Sequence, residues 1–121
     1  MNDDLKQRTK EFALRIVKLY CALPKTTEAQ VMGKQVLRSG TSVGAHYREA
    51  SRSRSKAEFV SKIEVGLQEL EETTYWLELL TESNTIRETQ VISLIKEAGE
   101  LNAIFTSCVK KVKAGERLKA K

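Results

Sequence analysis

Few side chains in this sequence could do covalent chemistry. His46 is its only histidine, and Asp3 and Asp4 are its only aspartates. A Ser-His-Asp triad needs a carboxylate held rigidly against the imidazole, and two aspartates at a chain end do not supply one. No Glu-x-x-His pair occurs, so the carboxylate-bridged metal site of ferritin-like bundles is excluded. The cysteines, Cys21 and Cys108, form no zinc-binding spacing with the single histidine. Neither a P-loop nor a dinucleotide fingerprint is present. The chain therefore reads as a non-enzyme, with no catalytic residue, metal or cofactor expected. His46 is expected at a core edge or an interface.

The chemistry that the chain does offer is electrostatic. Arg48, Arg52 and Lys56 follow a four-residue step, with Arg54 between the last two and Lys62 further on. A second basic group near the end contains Lys110, Lys111, Lys113, Arg117 and Lys119. Clusters of this kind meet phosphates and give salt-dependent, sequence-independent affinity. The candidate nucleic-acid contacts are Arg38, Arg48, Arg52, Arg54, Lys56, Lys62, Lys110, Lys111 and Lys113. The plainer alternative is a solvated surface whose cations complement the negative C-terminal ends of helices. No RNA-recognition motif or helix-turn-helix reader is visible, so base-specific readout is not expected. The net charge of +5 suits either nucleic acid or an acidic protein. One internal segment is acidic instead: Glu64, Glu69, Glu71, Glu72, Glu78 and Glu82 occur with no Lys or Arg between them. That run is a solvated face or a dock for a basic partner.

These side chains have to be positioned by helices. A length of 121 residues allows one core without staples, and 31% charged residues with little low-complexity sequence argue against disorder. Four capping-box patterns, Asp4–Gln7, Thr27–Gln30, Ser55–Glu58 and Thr85–Glu88, each precede an apolar period of about 3.6 residues. They predict helices over Leu5–Ala22, Glu28–Arg52, Lys56–Glu82 and Arg87–Ala114. Pro24, the only proline, ends the first. Phe12, Ile16, Leu19 and Leu23 form its main stripe, and Leu14, Val17 and Cys21 form a second.

Gly33, Gly40 and Gly44 recur within the second helix. Each costs about 1 kcal/mol against alanine. The cost points to close approach of a neighbouring helix or, alternatively, to a backbone-lined groove. In the third helix Val60, Ile63, Leu67, Leu70, Thr74 and Leu77 form a heptad line, widened by Phe59, Gly66, Thr73 and Leu80. In the fourth the line is Leu94, Ala98, Leu101, Phe105, Cys108 and Val112, with Gly115 as the C-cap.

Four amphipathic helices with short connections argue an all-α, up-down-up-down antiparallel four-helix bundle over residues 1–115, followed by a mobile basic tail over 116–121. This topology gathers the basic groups at one end and leaves the acidic run on the other half of the third helix. It also separates Cys21 from Cys108 by about 25 Å at 1.5 Å per residue, whereas a disulfide needs Cα atoms within about 7 Å. No intrachain bridge is expected, and both cysteines read as small hydrophobes in a reducing compartment. No apolar run of about 18 residues occurs, and the charged N-terminus does not read as a secretory signal. The cytoplasm is the expected location, with no membrane contact. The extra apolar stripe on the first helix and the off-line aromatics of the third exceed what one small bundle buries, which favours an oligomer. Candidate interface residues are Leu14, Val17, Tyr47, Tyr75 and Trp76.

Three blocks carry a family resemblance: Arg38-Ser-Gly-Thr-Ser-Val-Gly-Ala-His-Tyr-Arg-Glu-Ala50, Arg54-Ser-Lys-Ala-Glu-Phe59 and Glu69-Leu-Glu-Glu-Thr-Thr-Tyr-Trp-Leu-Glu-Leu-Leu80. Together they resemble the bacterial 23S rRNA intervening-sequence protein family, also called four-helix-bundle proteins, over nearly the whole chain. The accessory protein of diversity-generating retroelements is similar. His46 departs from the family pattern, which usually has asparagine there. The resemblance implies a four-helix bundle assembled as a ring, typically a homopentamer, with a link to RNA. It also implies basic surfaces that bind RNA or DNA, and a reverse transcriptase or other protein as partner. It adds no catalytic residues. The alternative function is a protein-interaction scaffold that touches no nucleic acid.

Overall fold

The computed structural model describes the backbone of residues 3–120 and the side chains of residues 4–115. Four α-helices make up the bundle: α1 (Asp3–Cys21), α2 (Thr27–Ser51), α3 (Lys56–Glu82) and α4 (Ile92–Ala120), with one 3-10 turn (Glu88–Gln90) before α4. Side chains meeting across the helices show that neighbours run antiparallel. Gly44 faces Thr9 and Gly33 faces Leu23 between α1 and α2. Lys62 meets Glu49 and Arg38 meets Glu72 between α2 and α3, and Lys113 meets Glu64 between α3 and α4. Packing is most extensive between α2 and α3, while α1 and α4 touch sparsely. No helix among the described residues is long and apolar enough to cross a membrane.

The core lies along one line on each helix. Phe12 and Ile16 of α1 meet Val36, Val43 and Tyr47 of α2, Ile63, Leu70 and Leu77 of α3, and Leu94, Leu101 and Phe105 of α4, all buried. Each such side chain contributes about 1.5–3 kcal/mol by leaving water. The glycines of α2 admit α1 closely: a Cβ on Gly40 would sit 2.8 Å from Ile16 Cγ1, and one on Gly44 3.1 Å from Thr9 Oγ1. The neighbouring helix occupies this strip, so the alternative of a backbone-lined groove falls. One polar pair is buried with the core, the hydroxyls of Ser39 and Thr73, 2.9 Å apart. Each of the two also contacts a carbonyl of its own helix, Val36 and Glu69 respectively, so neither is left unsatisfied.

The helix boundaries correct several expectations. Helix α1 starts at Asp3, so Asp4 lies inside its first turn, where a carboxylate still complements the positive end of the helix. Thr26, not Thr27, caps α2, because its extended backbone lets the hydroxyl accept from the Ala29 N–H at 3.4 Å. Gln30 instead ties α2 to α1, donating to the Pro24 carbonyl at 2.9 Å and accepting from the Tyr20 hydroxyl at 3.2 Å. Ser55 caps α3 as expected, accepting from the Glu58 N–H at 3.0 Å. Thr85 caps nothing: its hydroxyl pairs with Ser83, and the 3-10 turn is held by Gln90 accepting from the Arg87 N–H. Asn84, at φ 61, makes the reversal after α3. The left-handed region suits asparagine among non-glycine residues.

Other placements also differ. Tyr47, expected at an interface, is 2% exposed and stacks on Phe105 with ring centroids 5.8 Å apart. Its position on the Val36–Val43–Ala50 line explains this. On α4 the buried line ends on Val109, with Cys108 and Val112 half-buried. Gly115 is not a C-cap, since α4 continues to Ala120. The backbone of 116–120, expected as a mobile tail, continues α4, while the side chains of 116–121 lie outside the described residues. Both cysteines are free; Cys21 is exposed rather than packed.

Candidate nucleic-acid interface

The corner between α2 and α3 is built by two adjoining helix ends. The Arg52 N–H closes α2 on the carbonyls of Glu49 and Ala50, Ser55 opens α3, and four residues join them. This short connection fixes Arg48, Arg52 and Arg54 as an exposed set, with Lys56 exposed beside them. The antiparallel register puts Lys110, Lys111 and Lys113 of α4 toward the same end, because Lys113 reaches Glu64, eight residues into α3.

Ion pairing divides the nine candidate cations. Lys62 Nζ lies 3.0 Å from Glu49 Oε1, and Lys113 Nζ lies 3.4 Å from Glu64 Oε2. Arg38 lies well away from the corner, in mid-bundle, and bridges Glu69 and Glu72 of α3. Glu72 also accepts from Trp76 Nε1 at 3.0 Å. Part of the acidic run is thus neutralised within the chain. Arg48, Arg52, Arg54, Lys110 and Lys111 form no ion pair with another described residue. They are the part of the basic set whose charge is open to a ligand.

His46 belongs to α2, and its side chain lies against α3. Its Nδ1 is 3.7 Å from Glu49 Oε1 and its Nε2 is 3.7 Å from Glu69 Oε2, both beyond hydrogen-bond reach. Nδ1 is buried without a hydrogen-bond partner. The side chain is 25% exposed. The Glu49 carboxyl is held below its ordinary range, chiefly by the hydrogen bond and charge of Lys62, with His46 adding a smaller pull. No cluster of three or more potential metal ligands occurs among the described residues.

The expected interface residues separate in the same way. Leu14 is 57% exposed and Val17 39%, and Cys21 continues their exposed face. Tyr75 is 53% exposed and meets the half-buried Trp76 edge-on, with centroids 5.1 Å apart. Val31 and Ile92 are exposed too and stood out in no sequence pattern. Nor did any pattern signal the bonds from Arg8 to Glu97 and Glu100, because the partners lie about ninety residues apart on the first and last helices.

Comparison with known proteins agrees with this architecture. No curated protein matches the chain. A crystal structure of a protein of unknown function from the S23 ribosomal protein family of Bacteroides thetaiotaomicron VPI-5482 is 44% identical, with a TM-score of 0.82 over 87% of this chain and 97% of that one. The family model described as 23S rRNA-intervening sequence protein matches residues 2–107. With the match running through all four helices of the bundle, the chain belongs to the 23S rRNA-intervening sequence protein family.

Proposed function

We propose that this is a non-enzymatic, oligomeric accessory protein of the cytoplasm that binds RNA or DNA through phosphate contacts at its basic end. The observation that carries this reading is the exposed set Arg48, Arg52, Arg54, Lys110 and Lys111, which no described carboxylate neutralises. Backbone phosphates are the natural counter-charges for such a set. The family description, which refers to 23S rRNA, supports an RNA ligand. The exposed Leu14–Val17–Cys21 face of α1 supports self-association, and the family resemblance makes a homopentamer the preferred size.

The test is an RNA-binding titration against salt, with Arg52→Glu and Arg54→Glu combined. Binding that weakens steeply with salt and is lost in the double variant supports the proposal. Absence of binding at low salt, or indifference to the charge reversal, overturns it.

A second reading, a protein-interaction scaffold with no nucleic-acid role, is favoured by the exposed Tyr75 and the neighbouring Glu71, Glu78 and Glu82. A reverse transcriptase or another protein with a basic surface would fit there. A complex with such a protein that survives nuclease treatment would support it.

A further inference from the structure

We infer that the basic end takes a nucleic-acid duplex, held by its backbone phosphates, in preference to a single strand; this rests on the phosphate-binding reading above. Single-strand binders combine a positive groove with aromatic platforms on which bases stack. No aromatic residue among the described residues is fully exposed at the basic end. Phe12 and Phe105 are buried, and Tyr47 is buried against Phe105. Phe59, on the first turn of α3, is half-buried and packs on the core. Tyr20 bonds Gln30 near the opposite end. Tyr75 and Trp76 lie nearly twenty residues along α3 from Lys56, about 28 Å at 1.5 Å per residue.

The cations themselves fit a stiff ligand. Arg48 and Arg52 are one turn apart at the end of α2, roughly 6 Å between Cβ atoms. Arg54 follows on the short corner, and Lys110 and Lys111 stand on α4. The cations are thus fixed by helices and a tight corner, and among the described residues no long loop stands there to wrap a flexible strand. The surface between Arg48, Arg52 and Lys62 is an open depression that also includes Ala45, Glu49 and Glu58. A duplex presents one charge per about 1.7 Å of axis and suits such a surface better than a single strand, whose charge density is lower. Where the contacts are to backbone phosphates, shape and charge decide the preference.

Competition binding distinguishes the possibilities, using a short RNA duplex, the DNA duplex of the same sequence and one constituent RNA strand, over a range of salt. Both duplexes are expected to bind at least about tenfold tighter than the strand, a difference of about 1.4 kcal/mol. Replacing Arg52 and Arg54 together by glutamine should lower the slope of log affinity against log salt by about 2, at roughly 0.9 for each phosphate no longer neutralised. Arg38→Gln, which removes a paired cation away from the corner, should leave that slope unchanged. Circular dichroism checks that each variant keeps its helices. Similar affinity for the two duplexes fits recognition by backbone charge alone, and a preference for the RNA duplex identifies A-form geometry as the feature read; both support the inference. A strand bound as tightly as the duplexes overturns it while leaving the phosphate reading intact. No binding to any of the three at low salt overturns both.

Discussion

Gly40 and Gly99 both sit inside helices, and alanine at the two positions is expected to move stability in opposite directions. A Cβ on Gly40 would lie 2.8 and 3.0 Å from two carbons of the buried Ile16, whereas nothing lies within 4 Å of one on Gly99. Alanine gains about 1 kcal/mol over glycine in a helix, and overpacking a tight site costs about 1–3 kcal/mol. Gly40→Ala should therefore lose about 1 kcal/mol net, and Gly99→Ala should gain about 1 kcal/mol. Urea unfolding of the two variants measures both, and a stabilised Gly40→Ala would mean that α1 and α2 can separate at little cost. The glycine spacing in α2 was readable as a close approach. That Ile16 and Thr9 fill it was not, because spacing names a face and not the side chain across from it. Tyr47 shows the converse. The core line Val36–Val43–Ala50 already ran through it, and the general preference of aromatics for interfaces was the weaker signal.

The junction between α1 and α4 depends on a few polar side chains. Arg8 donates to Glu97 through Nε at 2.7 Å and Nη2 at 2.8 Å, and to Glu100 at 2.7 Å; Arg15 donates to Ser93 at 2.7 Å. The Glu97 carboxyl is held below its ordinary value of 4.5 by the Arg8 hydrogen bond, with partial burial opposing and the charges of Arg8 and Arg15 adding. Because the folded value is the lower one, its contribution is complete above about pH 4.5 and is lost as pH falls through the folded value. Glu97→Gln should flatten the acid side of the stability profile and cost about 1 kcal/mol at neutral pH, discounted for the exposure of the pair. Thermal unfolding from strongly acidic to neutral pH checks this, and an unchanged acid limb would remove Glu97 from the account. The elements themselves were legible in the sequence. Helix α3 has the bounds expected of it, because the Ser55 cap and the long heptad line agree. Pairings between helices were not legible, since an ion pair across ninety residues leaves no local pattern.

Taken whole, the molecule has a charge polarity that its net charge conceals. Exposed cations that no described carboxylate neutralises stand at one end, and Glu71, Glu78 and Glu82 lie along the other half of α3. Among its charged residues α1 exposes the apolar side chains Leu14 and Val17, and it is less embedded than α2 or α3. Replacing Leu14 and Val17 by lysine should leave monomer stability within about 0.5 kcal/mol, because neither side chain packs in the core. The same pair should shift sedimentation from an oligomer to a monomer. An unchanged mass would remove the Leu14–Val17 face from the proposed self-association. The sparse packing of α1 on α4 also bears on time. Each helix packs mainly on its chain neighbours, so most contacts close over short loops, the pattern associated with folding in microseconds to milliseconds. During synthesis α1, α2 and α3 can pack before α4 has left the ribosome. Joining the first helix to the last is then a late closure that the rest of the bundle does not have to wait for.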